Sequence, residues 1–144
     1  MKTVSSILKT KGSEVSSVSP DVMVRDALKI MAEKNIGAIV VMDQAKLVGI
    51  FSERDYARKI VLKDKSSKTT PISEIMTSED LITVKPSTRI EDCMVLMTDK
   101  RIRHLPVVEQ DKLLGVISIG DLVKHIIEDQ KATIENLQNY ITGQ

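Results

Sequence analysis

The sequence predicts a mixed α+β fold: two pseudo-symmetric strand-helix-strand-strand-helix units packed through their sheets into one domain, followed by a C-terminal helix. Three observations carry this. Gly49-Ile50-Phe51-Ser52-Glu53-Arg54-Asp55 recurs 66 positions later as Gly115-Val116-Ile117-Ser118-Ile119-Gly120-Asp121, so the chain holds an internal duplication. The same offset pairs Val18 with Val84, Pro20 with Pro86, Asp26 with Asp92, Met31 with Met97, Ile36 with Ile102 and Lys46-Leu47 with Lys112-Leu113, without a gap between 18 and 125. Finally, 144 residues suit one compact domain, whereas a half of about 60 residues is marginal alone, so the copies are expected to fold against each other.

Each element follows from local pattern. Segments 14–18 and 81–84 are short and β-branched and read as strands, with Pro20 and Pro86 suited to the turn into a helix. Over 21–34, Val24, Ala27, Leu28 and Met31 fall at i, i+3, i+4 and i+7; over 87–100, Ile90, Cys93, Met94 and Met97 repeat this, predicting two amphipathic helices. Apolar runs at 38–42 and 47–51, and again at 105–108 and 113–117, are separated by polar turns at 43–46 and 109–112 and read as hairpins. Segments 4–9 and 73–76 are expected to form helical turns ahead of the two copies. The polar, proline-terminated stretch 63–71 reads as a solvated linker. In the tail, Val123, Ile127, Ile134, Leu137 and Ile141 lie on alternating steps of four and three, with polar Gln130 in the interrupted place. Such a seam either docks on its own domain or meets a second copy.

Composition narrows function. With 21 basic and 20 acidic residues there is no global electrostatic case for nucleic acid or an anionic membrane, although Lys59, Lys63, Lys65 and Lys68 form a local basic cluster. Tryptophan is absent and the aromatics are Phe51, Tyr56 and Tyr140, too few for base-stacking platforms. No apolar run approaches the roughly 20 residues of a membrane span, and the N-terminus lacks the apolar core of a signal peptide, so a cytoplasmic location is expected. One cysteine, Cys93, and two histidines, His104 and His125, have no zinc-like spacing and offer no activated nucleophile, so no catalytic residue is assigned.

The repeated motif has two readings. Ser at an N-cap with Asp three residues on is a capping box worth about 1 kcal/mol. Alternatively, the strand ends at Phe51 or Ile117, and the free N–H groups of the next helix attract a phosphate. Ser52 or Ser118 would then donate to that phosphate, and Asp55 or Asp121 would accept from a ribose diol. Arg54, Arg58, Arg101, Arg103 and His104 tip the balance towards the second reading, because arginine grips phosphate in a bidentate fork. Apolar Val18, Ile36, Ile39, Ile102, Leu105 and Pro106 could sandwich a base whose edge is read by backbone around Gly37-Ala38 and Arg103-His104.

The tandem register, the Val-x-Pro openings, the strand Arg101-Ile102-Arg103-His104-Leu105-Pro106-Val107-Val108 and both G-x-x-S-x-x-D endings resemble a pair of CBS domains, the Bateman module. The resemblance spans roughly 7–130 and divides the chain into CBS motifs at 8–70 and 76–132, with a helical extension at 133–144. It implies a non-catalytic regulatory module that senses AMP, ADP, ATP, NAD or S-adenosylmethionine in clefts between the copies, and usually a homodimer acting on a regulated protein partner. Asp55 and Asp121 match the ribose-binding aspartates, Ser52 and Ser118 the phosphate-side hydroxyls, and Val18 and Val84, with Ser17 and Thr83 before them, the segment bordering adenine. The copies differ at Gly37-Ala38 against Arg103-His104 and at Glu53-Arg54 against Ile119-Gly120, so the two clefts are expected to be unequal. The competing readings are a dimeric adaptor without a small ligand and, further off, an enzyme that slowly turns over a nucleotide.

Overall fold

The 66-residue offset survives in three dimensions down to hydrogen-bond register. A computed structural model describes residues 2–12 and 14–142. Helix α1 (Val4–Lys11) is followed by β1 (Ser17–Val18), α2 (Val24–Lys34) and the hairpin β2 (Ala38–Asp43) and β3 (Lys46–Ser52). A helical turn α3 (Glu53–Asp55) runs into a π-helical turn (Tyr56–Val61), and a 3-10 turn (Ile72–Glu74) leads to the second copy. That copy comprises α4 (Ile90–Lys100), the hairpin β4 (His104–Glu109) and β5 (Lys112–Ser118), and the long α5 (Ile119–Thr142).

The hairpins pair Ala38 with Ser52 and His104 with Ser118, and each carries a register shift at the equivalent place, Val41/Met42 and Val107/Val108. Their two-residue turns put Gln44 and Ala45, and Gln110 and Asp111, at positive φ, the conformation that matches the twist of paired strands. Strand β1 pairs parallel with β2 through Val18 and Val41; its counterpart is the single parallel bridge between Val84 and Val107. The strands expected over 14–18 and 81–84 are thus far shorter than predicted, because only their last residues meet a neighbouring strand.

Helices α2 and α4 bury the predicted stripes, Val24, Ala27 and Met31 and then Ile90, Cys93 and Met97, but begin three residues later than expected. Neither has a side-chain cap. Their first N–H groups are served from elsewhere: Val24 N donates to Thr70 O, and Ile90 N to Lys2 O. Thr70 is buried, so the stretch 63–71 is not merely a solvated linker; its end helps start α2.

The segments ahead of the two copies are exchanged. Val4 and Ile7 of α1 lie in a core with Val84, Ile90, Cys93, Met97, Leu105, Val107, Ile117 and Leu122 of the second copy. Reciprocally, Ile72 and Ile75 complete the first copy's core with Val18, Val24, Ala27, Met31, Ile39, Val41, Phe51 and Ile60. Matched backbone bonds fix both: Val4 N to Thr88 O and Ser5 N to Pro86 O, against Ile72 N to Val22 O and Ser73 N to Pro20 O.

The exchange explains the glycine of the repeated motif. A Cβ on Gly49 would lie 2.5 Å from Met76 Sδ, and one on Gly115 2.7 Å from Leu8 Cδ2, so each glycine admits the segment that crosses over it. The C-terminal helix is continuous with the second copy. Leu122 is buried and Ile126 packs on the core, but Val123, Ile127, Ile134, Leu137 and Ile141 are 42 to 81 % exposed. The seam therefore does not dock on its own domain.

Candidate functional site

Both S-x-x-D motifs sit where a hairpin's last strand turns into a helix, and both form the cap. Ser52 N donates to Asp55 Oδ2 (2.9 Å) and Asp55 N to Ser52 Oγ (3.2 Å); Ser118 N donates to Asp121 Oδ2 (2.9 Å) and Asp121 N to Ser118 Oγ (3.1 Å). Capping and ligand binding are compatible, because the cap uses one carboxylate oxygen and leaves the other. At Asp55 that second oxygen, Oδ1, meets Lys59 Nζ at 3.3 Å.

Around Asp55 opens a cleft of about 840 Å³. The first copy contributes Gly37, Ile50, Ser52, Glu53, Arg54, Asp55 and Arg58; the second copy's Lys100, Arg101, Ile102, Arg103, His104 and Pro106 form the opposite wall. Thr77, Asp80, Leu81 and Ile82 close the side, since the crossing segment pairs Thr77 with Ile50 in both directions (3.0 and 2.8 Å). Five cationic side chains face three acidic ones there, a balance that suits an anionic ligand. Arg54 Nη1 donates to Arg101 O, joining the copies and capping the C-terminus of α4, where Arg101 takes a left-handed conformation.

The cleft around Asp121 is different: about 170 Å³, bordered by Ile7, Thr10, Lys11, Lys124, His125 and Glu128. Lys11 reaches in from α1, donating to Asp121 Oδ2 (2.7 Å) and to Val116 O (2.6 Å). Val116 corresponds to Ile50, so the ammonium stands where Thr77 offers its backbone N–H in the first cleft. The cause is local. The first crossing segment stays helical to Lys11, whereas the second leaves its helical turn at Glu74 and runs alongside β3.

Electrostatics follow the geometry. Burial pushes the Asp121 carboxyl up, but hydrogen bonds from Lys11 and the Ser118 backbone, with the Lys11 charge, outweigh it and hold the group below the usual carboxylate range. His104, half-buried at the start of β4, is held below the usual histidine range by burial first and then by Lys11 and Arg103, against the opposing pull of Asp121. Its ring lies over Gly37, where a Cβ would come within 3.4 Å of Cε1 and Nε2. Burial, assisted by Asp92, pushes the Cys93 thiol up to about 11, so it is an inert core side chain.

Of the predicted site residues, Gly37, Ser52, Arg54, Asp55, Ile102, Arg103, His104 and Pro106 meet in the first cleft, and Asp121 borders the second, with Ser118 beside it through the cap. Gly120 is exposed on the helix start, and Ile36, partly buried, and Thr83, exposed, lie outside the linings. Val18, Ala38, Val84 and Leu105 are buried, with Val18, Val84 and Leu105 in the two cores, not in the cleft walls. Sequence reasoning missed Lys11, Thr77 and the 80–82 wall. The signal was present in the clash that a Cβ on either motif glycine would make, but only once the crossing segments are known.

Two copies of one α+β unit, each completed by the other's leading segment and enclosing unequal clefts at their strand-to-helix junctions, define a tandem-repeat module. The chain belongs to the CBS domain family, which matches residues 4–62 and 72–128. It is 42% identical over 149 residues to the CBS domain-containing protein CBSX3, mitochondrial, of Arabidopsis thaliana, covering 98% of this chain and 72% of that one. Among solved structures, a putative signal-transduction protein with CBS domains from Burkholderia ambifaria is 51% identical with a TM-score of 0.85, covering 90% of this chain and 96% of that one. The CBS domain pair of protein MJ0100, solved in complex with 5′-methylthioadenosine and S-adenosyl-L-methionine, shares the fold at TM-score 0.78 and 24% identity, covering 90% and 98%. No described helix is long and apolar enough to cross a membrane.

Proposed function

We propose that the chain is a non-catalytic regulatory module that binds an adenosine nucleotide, AMP, ADP, ATP or NAD, in the cleft around Asp55. The observation carrying this is that one cleft of about 840 Å³, within the range of small-molecule sites, joins a capped Ser52–Asp55 helix start on one copy to a cationic strand entrance on the other. Phosphate would meet Ser52, Arg54, Arg58 and Arg103; the ribose diol would meet Asp55 Oδ1 in competition with Lys59, which now holds it at 3.3 Å; the base would lie against Ile102 and Pro106. A ligand touching both copies favours one relative arrangement of them, and that differential affinity is the signal. S-adenosylmethionine is the alternative ligand, in line with the complex of the MJ0100 pair. The reading includes a homodimer acting on a protein partner, in the cytoplasm; the name of the Arabidopsis relative, which places that protein in mitochondria, makes fractionation the check on location.

Thermal melting against a panel of adenosine compounds, with mass spectrometry of what co-purifies, tests this. A true ligand at a hundred times its Kd stabilises by about 2.7 kcal/mol. No shift with any member, together with an empty purified protein, would refute nucleotide sensing and leave the adaptor reading. Conversion of bound nucleotide to product would refute the non-catalytic assignment.

A further inference from the structure

The exposed seam of α5 has a heptad assignment that reads in one way. Ile127, Ile134 and Ile141 occupy a positions; Val123, Gln130 and Leu137 occupy d. We propose that this seam pairs with the same seam of a second copy, in parallel and in register, as a short two-stranded coiled coil. The proposal rests on the homodimer part of the reading above and not on the ligand.

Four features select a second copy in this orientation. The seam's centre lies about 80° around the helix from the Leu122–Ile126 stripe that holds α5 on its domain, so the two faces adjoin and the seam stays exposed. Isoleucine at 127, 134 and 141, all a positions, with Leu137 at d follows the preference for two parallel strands. Gln130 is the one polar seam residue; parallel pairing sets it beside its own counterpart, where two amides can exchange hydrogen bonds, while antiparallel pairing would set it against Ile134. The flanks agree: the e residues Lys124 and Gln138 would face Ile119 and Thr133 at g of the second copy, and Lys131 would lie at the domain edge beside Ile126, so no like charges meet.

Length is the usual objection, since isolated helices of this size are marginal in water. Here the first turns are already locked by the cap at Ser118 and by buried Leu122, so the helix needs no separate nucleation. Two seams of five aliphatic side chains each bury an area on the order of the 1,000 Å² expected of a specific interface.

The test combines mass and cross-linking on the full chain. Light scattering should give a dimer for the wild type. Ile134→Asp should weaken it roughly thirtyfold or more while leaving circular dichroism and the thermal transition of the domain intact, because Ile134 lies beyond the core. Under mild oxidation Gln130→Cys should form a disulfide-linked dimer, whereas Asn136→Cys, on the outer face, should not; buried Cys93 leaves the wild type as an uncross-linked control. A monomeric wild type would overturn both the coil and the homodimer. A dimer indifferent to Ile134→Asp, or one in which Asn136→Cys cross-links as fast as Gln130→Cys, would overturn the coil while the homodimer stands.

Discussion

Replacing Gly49 with alanine tests the exchange of leading segments more directly than any change at the cleft. The added methyl would sit 2.5 Å from Met76 Sδ, 2.9 Å from Met76 Cγ and 3.1 Å from Thr77 O. Met76 can rotate, but Thr77 O cannot retreat without loosening its 3.0 Å bond from Ile50 N. Overpacking of this kind costs about 1 to 3 kcal/mol, and an alanine in place of glycine returns about 0.4 to 1 kcal/mol through the unfolded chain. The net expectation for Gly49→Ala is a loss of about 1 to 2 kcal/mol. Gly115→Ala is the built-in control: its methyl meets only the far end of the Leu8 side chain and no backbone atom, and the change should fall within about 1 kcal/mol of neutral. Urea denaturation of both variants, with unchanged m-values, gives the comparison. For a chain of this size each kcal/mol moves the melting temperature by about 2 to 4 °C. A Gly49→Ala variant as stable as the wild type would refute the reading that this glycine makes room for the crossing segment, and Gly115→Ala being the worse of the two would refute the weight given to Thr77 O.

The remaining predictions concern the clefts. Asp55→Ala should weaken adenosine-ligand binding at least tenfold and cost about 1 kcal/mol of stability through the lost cap; a folded variant with unchanged calorimetric affinity would remove Asp55 from the site. Lys11→Met should free Asp121 and Val116 O, so that calorimetry finds a second equivalent of ligand per chain; an unchanged stoichiometry would show that Lys11 is not what closes the second cleft. Because the folded-state pKa of His104 is depressed, its stabilisation is present above the unfolded value near 6.5 and is lost as pH falls towards the folded one. The melting temperature should therefore drop on acidification from about pH 6.5, and His104→Asn should flatten that drop. Asp121, also depressed, contributes above about pH 3.8 and loses its contribution below it, so the two slopes separate.

Much of the fold was legible because the duplication is written in side chains with strong local preferences. The alternating runs of the hairpins and the Val24-Ala27-Met31 and Ile90-Cys93-Met97 stripes predicted their elements, and the gapless register predicted two equivalent units; the matched register shift in both hairpins is the structure's addition. The start of α2 was not legible, since its first N–H is held by Thr70 O, 46 positions away, and backbone carbonyls leave no trace in sequence. The same holds for the short strands at Val18 and Val84. Ser52, Asp55, Arg54 and Arg103, singled out for their polar chemistry, do line one cleft. Lys11 was not legible, because its role depends on α1 crossing to the other copy. Val18, Val84 and Leu105 match a binding pattern but are aliphatic residues beside a sheet, and the structure places them in the two cores.

The crossing of α1 and the 72–75 turn has a consequence for how such a chain can be taken apart. A cut within 63–68 would leave an N-terminal piece carrying the staple its partner needs and lacking its own, and a C-terminal piece in the reverse situation. Neither should fold by itself, and a mixture should reassemble stoichiometrically. By the same logic a lone ancestral copy could have closed its core only by trading leaders with a second chain, so the present protein has the architecture of a domain-swapped dimer made covalent.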